Sequence, residues 1–255
     1  MIRVVLRPQV NGLRWVLSIG ALLLLAGCGK GHETDCLKST GSITTERRDL
    51  PAFAQVFAYD NVDVQLVQDA DTYAEVQTGK NLQQDIELTS SGNQLIIHNT
   101  SRCNWVRRYD TPRVVTLHTP RVHDVFLRGQ GNLSTVGNFR ADTLFFHLVG
   151  AGDATLNVTS QYMNMDMYEL GNVTLLGSVT ELLSVVGGSG SLDASGLQNR
   201  RSYFRFDRFS DGDARLFPTD ALGGTHAGTG TLYYQGQPAY TDIQVTGPGK
   251  VVQLK

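Results

Sequence analysis

Amphipathic helix patterning is missing from this chain. After residue 28 no stretch places apolar residues at i, i+3, i+4 and i+7, so helices are not expected to build its core. A basic run is missing too. The formal charge is −2 over 255 residues, and it becomes −5 once Arg3, Arg7 and Arg14 of the first 28 residues are set aside. A mildly acidic body offers no positive footprint for phosphates, which argues against nucleic acid as a partner. Proline is scarce at 7 residues, and glycine, at 27, falls far short of one in three, so a collagen reading fails. No Walker or dinucleotide fingerprint appears, because the glycine turns are not followed by helices. The six histidines, among them His98, His118, His123 and His147, show no metal spacing such as His-x-x-x-His. No metal and no cofactor is expected. The remaining composition, 41% hydrophobic and 18% charged, is that of a globular chain with a substantial core.

The first 27 residues read as a targeting segment. Arg3, Arg7 and Arg14 precede an apolar run from Trp15 to Leu25 that is too short to span a membrane comfortably. The run ends in Leu25-Ala26-Gly27-Cys28, which resembles a bacterial lipobox. An ordinary secretory peptide with an incidental cysteine is the alternative. The resemblance implies cleavage before Cys28, acylation of that cysteine and stable anchoring through several buried acyl chains. Gly29, where Asp would retain a lipoprotein in the inner membrane, is compatible with delivery to the outer membrane or cell surface. Residues 28–46 then read as a lipidated tether, and 47–255 as the folded domain.

Two further cysteines, Cys36 and Cys103, remain. Export to an oxidising compartment permits a disulfide between them, and two free buried thiols are the alternative. Cys103 lies in the one cationic and aromatic island, with Arg102, Trp105, Arg107, Arg108 and Tyr109. Arginine with tryptophan and tyrosine is the chemistry of binding hot spots. The competing reading is a loop whose aromatics cover the end of a core.

From Arg48 onward, apolar and polar residues alternate with period two. The segments Phe53–Ala58, Val62–Val67, Tyr73–Gln77, Ile86–Thr89 and Leu95–His98 read as short strands. Residues 81–87 are expected to be strand rather than a helical turn.

From Arg113 the chain repeats. Small-residue turns such as Gly150-Ala151-Gly152-Asp153 recur, and their second glycines fall at Gly131, Gly152, Gly171, Gly190, Gly212, Gly230 and Gly249. The steps are 21, 19, 19, 22, 18 and 19 residues. A period near 20 marks a stacked-repeat architecture, since one rung cannot bury its own apolar face. Four residues before these glycines stand Leu127, Leu148, Met167, Val186, Arg208, His226 and Val245. Two after stand Leu133, Ala154, Val173, Leu192, Ala214, Leu232 and Val251. Offsets of two share one face of a strand, so these columns should point inward and residues such as Asn164 and Asp166 outward. Arg208 and His226, with Gly224 six residues before Gly230, are weak inward positions that suggest loosened rungs or a groove. The corner glycines are expected to supply positive φ, and the Asn or Asp after them to bond its own backbone. The expected fold is an all-β solenoid with rungs of about 20 residues and parallel pairing between rungs.

These turns, with Arg48-Asp49-Leu50-Pro51-Ala52-Phe53, Gly79-Lys80-Asn81-Leu82 and Tyr234-Gln235-Gly236-Gln237-Pro238, resemble the head GIN domain assigned to auto-transporter adhesins. That family is common in lipoproteins of Bacteroidota. The resemblance covers roughly residues 48–250. It implies a right-handed, pectate-lyase-like β-helix and no established activity. Glu169-Leu170-Gly171 and Ser210-Asp211-Gly212 depart from the family's turn by lacking the first glycine.

The expected function is therefore a non-catalytic envelope module that binds surface glycans or proteins, as an adhesin head. Two alternatives stay open. One is a scaffold for envelope partners. The other is a carbohydrate-active enzyme on the same fold, which needs paired carboxylates about 5–9.5 Å apart. Asp153 and Asp213 share a column position, but each follows a turn glycine, where a structural role suffices. Calcium binding of the repeat-in-toxin kind is not expected, because Gly187-Gly188-Ser189-Gly190 does not recur at nine residues.

Overall fold

The computed structural model of the chain describes residues 39–101 and 111–255. The alternating segments all become strands. In the first half these are β1 (Ile43–Asp49), β2 (Gln55–Ala58), β3 (Asp63–Gln68), β4 (Tyr73–Gly79), β5 (Ile86–Ser91), β6 (Gln94–Asn99) and β7 (Val114–Thr119). The repeat region supplies β8 (Asp124–Leu127), β9 (Leu133–Val136), β10 (Phe139–Leu148), β11 (Ala154–Met167), β12 (Val173–Val186) and β13 (Leu192–Phe206). It closes with β14 (Ala214–Leu216), β15 (Pro218–His226), β16 (Thr231–Tyr234), β17 (Tyr240–Val245) and β18 (Lys250–Gln253). The architecture is a β-solenoid of about 6 turns, with rungs about 20 residues apart.

Two long faces run along the stack. The first carries β6, β2, β8, β10, β11, β12, β13, β15 and β17 in parallel register. The second carries β7, β3, β9, β11, β12, β13, β14, β16 and β18, also parallel. The long strands β11 to β13 bend round from one face to the other. The rung made of β2 and β3 lies between two rungs made of later chain, β6 with β7 and β8 with β9.

Antiparallel strands close the N-terminal end. β1 pairs with β4, β4 with β7, and β5 with β6. Between β4 and β5 the chain makes a 3-10 helix, Lys80–Asp85, where strand was expected. The cause is a polar pin. Arg48 donates to the carbonyls of Ile86 at 2.5 Å and Gln83 at 2.6 Å. Gln83 in turn donates to the carbonyls of Thr44 and Val76 at 3.0 Å. Carbonyls that a strand ladder would satisfy are met here by side chains, so the chain can coil over the core end.

The inward columns are buried as expected up to the last rung, where Val245 is 47% exposed and Val251 only half-buried. Leu127, Leu148, Met167, Val186 and Phe206 form one continuous column, each contributing about 2 kcal/mol by burial. Arg208 does not belong to it. Phe206 pairs with Val186 and His226, because the corner after β13 is two residues longer than the others. Counting back from Gly212 therefore slips the column. The extra residues put Phe209 outside, 88% exposed. His226 is no loose position either. It is fully buried and its ring stacks on Phe206 with centroids 4.1 Å apart.

The corner glycines differ from expectation in their reason. Among the described residues, positive φ occurs at Gly41, Gly92, Gly137, Gly177, Gly224, Gly236 and Asp60, and at none of the seven corner positions. A Cβ on Gly152, Gly171, Gly190, Gly212 or Gly230 would instead run into the carbonyl oxygen of the preceding corner glycine. Close approach of backbone to backbone, rather than a left-handed turn, requires glycine there.

Candidate functional site

The corner carboxylates are structural. The side-chain oxygens of Asp63, Asn132, Asp153 and Asn172 accept from the backbone amides of Asn132, Asp153, Asn172 and Ser191, at 2.7–3.0 Å. Asp213 does the same for the amide of Thr231 at 2.7 Å. Each side chain bonds the next rung rather than its own turn, so the line is a ladder of caps. Asp153 and Asp213 stand three rungs apart, about 14 Å at the strand spacing. That is wider than the separation that glycoside cleavage uses. Among the described residues no three His, Cys, Asp or Glu side chains gather to hold a metal ion.

Cys28, Cys36 and Cys103 lie outside the described residues, as do Arg102, Trp105, Arg107, Arg108 and Tyr109 of the island.

The outward side of the first face carries the chemistry. Phe57, Phe126, His147 and Asp166 occupy one row across β2, β8, β10 and β11. Period-two alternation turns all four away from the core. The rings stack at the rung spacing. Phe57 and Phe126 lie 4.4 Å apart and 2° from parallel, and Phe126 and His147 lie 4.3 Å apart. The Arg128 guanidinium lies 5.5 Å from the Phe126 ring and 5.9 Å from that of Phe57. Such contacts hold the cation beside an apolar platform. His147 Nδ1 donates to Asp166 at 2.6 Å, and the Asn164 amide donates to the other carboxylate oxygen at 2.7 Å. The carboxylate fixes the ring orientation and leaves Nε2 as the free polar edge.

A second aromatic row flanks the first. His123 tilts against Phe145 at 5.0 Å, and Phe145 against Tyr162 at 5.9 Å. On the other side a cleft of about 630 Å³ is lined by Tyr59, Asp60, Asn61, Arg128 and Gln130, among others. Tyr59 stacks on His98 at 4.5 Å, and His98 Nδ1 donates to Asp60 at 3.0 Å. The sequence reading missed these rows, although the signal was present. Five residues before the corner glycines stand Phe126, His147 and Asp166, an outward column of the same regularity as the inward ones.

The model of one family, described as "Putative auto-transporter adhesin, head GIN domain", matches residues 52–238. The chain belongs to the head GIN domain family. Solved structures share the fold of this GIN domain. A Bacteroides fragilis protein described as a putative adhesin is 18% identical, with a TM-score of 0.76 over 84% of this chain and 97% of its own. A Parabacteroides merdae putative adhesin is 17% identical, with a TM-score of 0.64 over 86% and 98%. A Parabacteroides distasonis protein described as a putative lipid binding protein is 15% identical, with a TM-score of 0.65 over 85% and 98%. No curated protein matches the chain.

Proposed function

We propose that the chain is a non-catalytic binding module of the cell envelope, anchored through Cys28, that holds glycans on the outward side of its first face. The observation that carries this reading is the row Phe57, Phe126 and His147, stacked at 4.4 and 4.3 Å. Flat, half-buried rings at fixed spacing present an apolar surface to the C–H faces of pyranoses. Asp166, Asn164 and Arg128 beside them bond hydroxyls. A few placed polar groups on an apolar wall are the usual composition of a small-ligand site. Membership of an adhesin-head family supports a surface role, and an outer-membrane or cell-surface location follows from the lipobox reading.

A glycan array with the purified domain tests it. Saturable binding without cleavage is expected, and Phe126→Ala should weaken it about tenfold, as loss of one aromatic contact does. Binding unchanged by Phe126→Ala and by Phe57→Ala would move the site elsewhere. For the anchor, Cys28→Ala should release the full chain from membranes. Unchanged retention would overturn it.

A further inference from the structure

We propose that the first face ends in a site for an anionic sugar group, a carboxylate or sulfate held between Arg121 and Arg140. The proposal rests on the glycan reading above and narrows it. Where the strands of the first face begin, a cavity of about 330 Å³ is lined by Arg121, Arg140, Asp142, Thr159, Ser160 and Gln161. A second, of about 250 Å³, shares Arg121 and Asp142 with it and adds His123 and Thr143. Together they form one groove.

Its two guanidinium groups are unspent. Arg47, Arg200, Arg201 and Arg205 each pair with a carboxylate within 3.3 Å. The side chains of Arg121 and Arg140 make no hydrogen bond or ion pair among the described residues, although both line the same groove. In a chain of net negative charge, two free guanidinium groups around one small cavity form a local anion site. Their forks match the geometry of carboxylate and sulfate oxygens. The cavity floor adds an independent sign. Ser160 is only 7% exposed, and its hydroxyl has no partner, although buried polar groups are normally bonded. Ser160 is among the residues that line this cavity.

The groove also continues the aromatic platform. His123 lines it and leans on Phe145, which leans on Tyr162. A chain lying on the rings can therefore turn its charged substituent into the groove. Asp142, the one carboxylate lining both cavities, would repel a bare anion. It suits a sugar, whose hydroxyls donate to it while the charged group faces the arginines.

The test compares oligosaccharides of one linkage in neutral, uronate and sulfated forms, titrated into wild-type protein and into the double variant Arg121→Gln with Arg140→Gln. Both positions are exposed, so the thermal transition of the variant should match wild type. At least one anionic form should bind about tenfold or more tighter than the neutral one, and the variant should lose that preference while keeping neutral binding. Whichever of the uronate and sulfated forms gains more identifies the charged group. An equal affinity for all forms, or a preference that survives the double variant, overturns the anionic site and leaves the glycan reading intact. No binding of any form overturns both.

Discussion

Gly152 and Gly131 stack so closely that a Cβ on Gly152 would lie within 3.0 Å of the Gly131 carbonyl oxygen. The obstacle is backbone on one side and backbone on the other, so neither can yield as a side chain would. Gly152→Ala should lower stability by about 3 kcal/mol, the upper range for overpacking. Gly137 is the control. It has a φ of +76° and open space around its Cβ position. There alanine should cost about 1 kcal/mol of backbone strain alone. Urea midpoints of the two variants measure the contrast, and a loss at Gly152 no larger than that at Gly137 would show that the close stacking does not require glycine.

Asp153→Ala should cost about 1 kcal/mol by removing one cap between rungs. Glycan affinity should be unchanged. If Asp153→Ala instead abolished a turnover reaction with its stability intact, the non-catalytic reading would fail.

Arg48→Ala should cost about 3 kcal/mol, because the Ile86 and Gln83 carbonyls lose a charged donor at the end of the core. The loss should be local at first. Hydrogen exchange should speed up in β4, β5 and the 3-10 helix before the central rungs, and uniform acceleration would contradict the capping role.

His226 makes stability depend on pH. Burial holds its pKa below the ordinary value, and the bond to the Gly230 carbonyl only partly offsets this. As pH falls below about 6.5 the unfolded chain takes up the proton first, so stability is lost until the folded ring also protonates. The carboxyls of Asp69, bonded by the Asp71 amide, and Asp220, bonded by Thr219, are also held low. Their contribution is lost only below the ordinary carboxylate range, so it does not overlap. Wild type should lose stability between pH 7 and 5 (about the window of the unfolded imidazole), and His226→Met should lose less. Parallel pH profiles would exclude His226 as the cause.

The period of the second half was legible because each rung repeats the same packing problem, and inward residues such as Leu148 and Met167 answer it alike. The reason for the corner glycines was not legible. Glycine suits both a left-handed turn and a close approach, and only the stacking distance between Gly131 and Gly152 decides. The slip at Arg208 had a similar origin, since a longer corner shifts every offset counted through it. The outward row of Phe57, Phe126 and His147 could have been read at its own offset. The place of β2 and β3 could not, because strands of four to six residues carry no mark of which later strand will lie beside them.

That placement bears on how the chain acquires its shape. The rung of β2 and β3 needs β6 and β7 on one side and β8 and β9 on the other. Segments leaving the ribosome first must therefore wait for residues up to 136 before both their edges are matched. Assembly cannot run rung by rung from the N-terminus. The first nucleus is better placed among β10 to β13, whose neighbours follow one another directly and close the shortest loops. The end that emerges first would then be the last to be sealed.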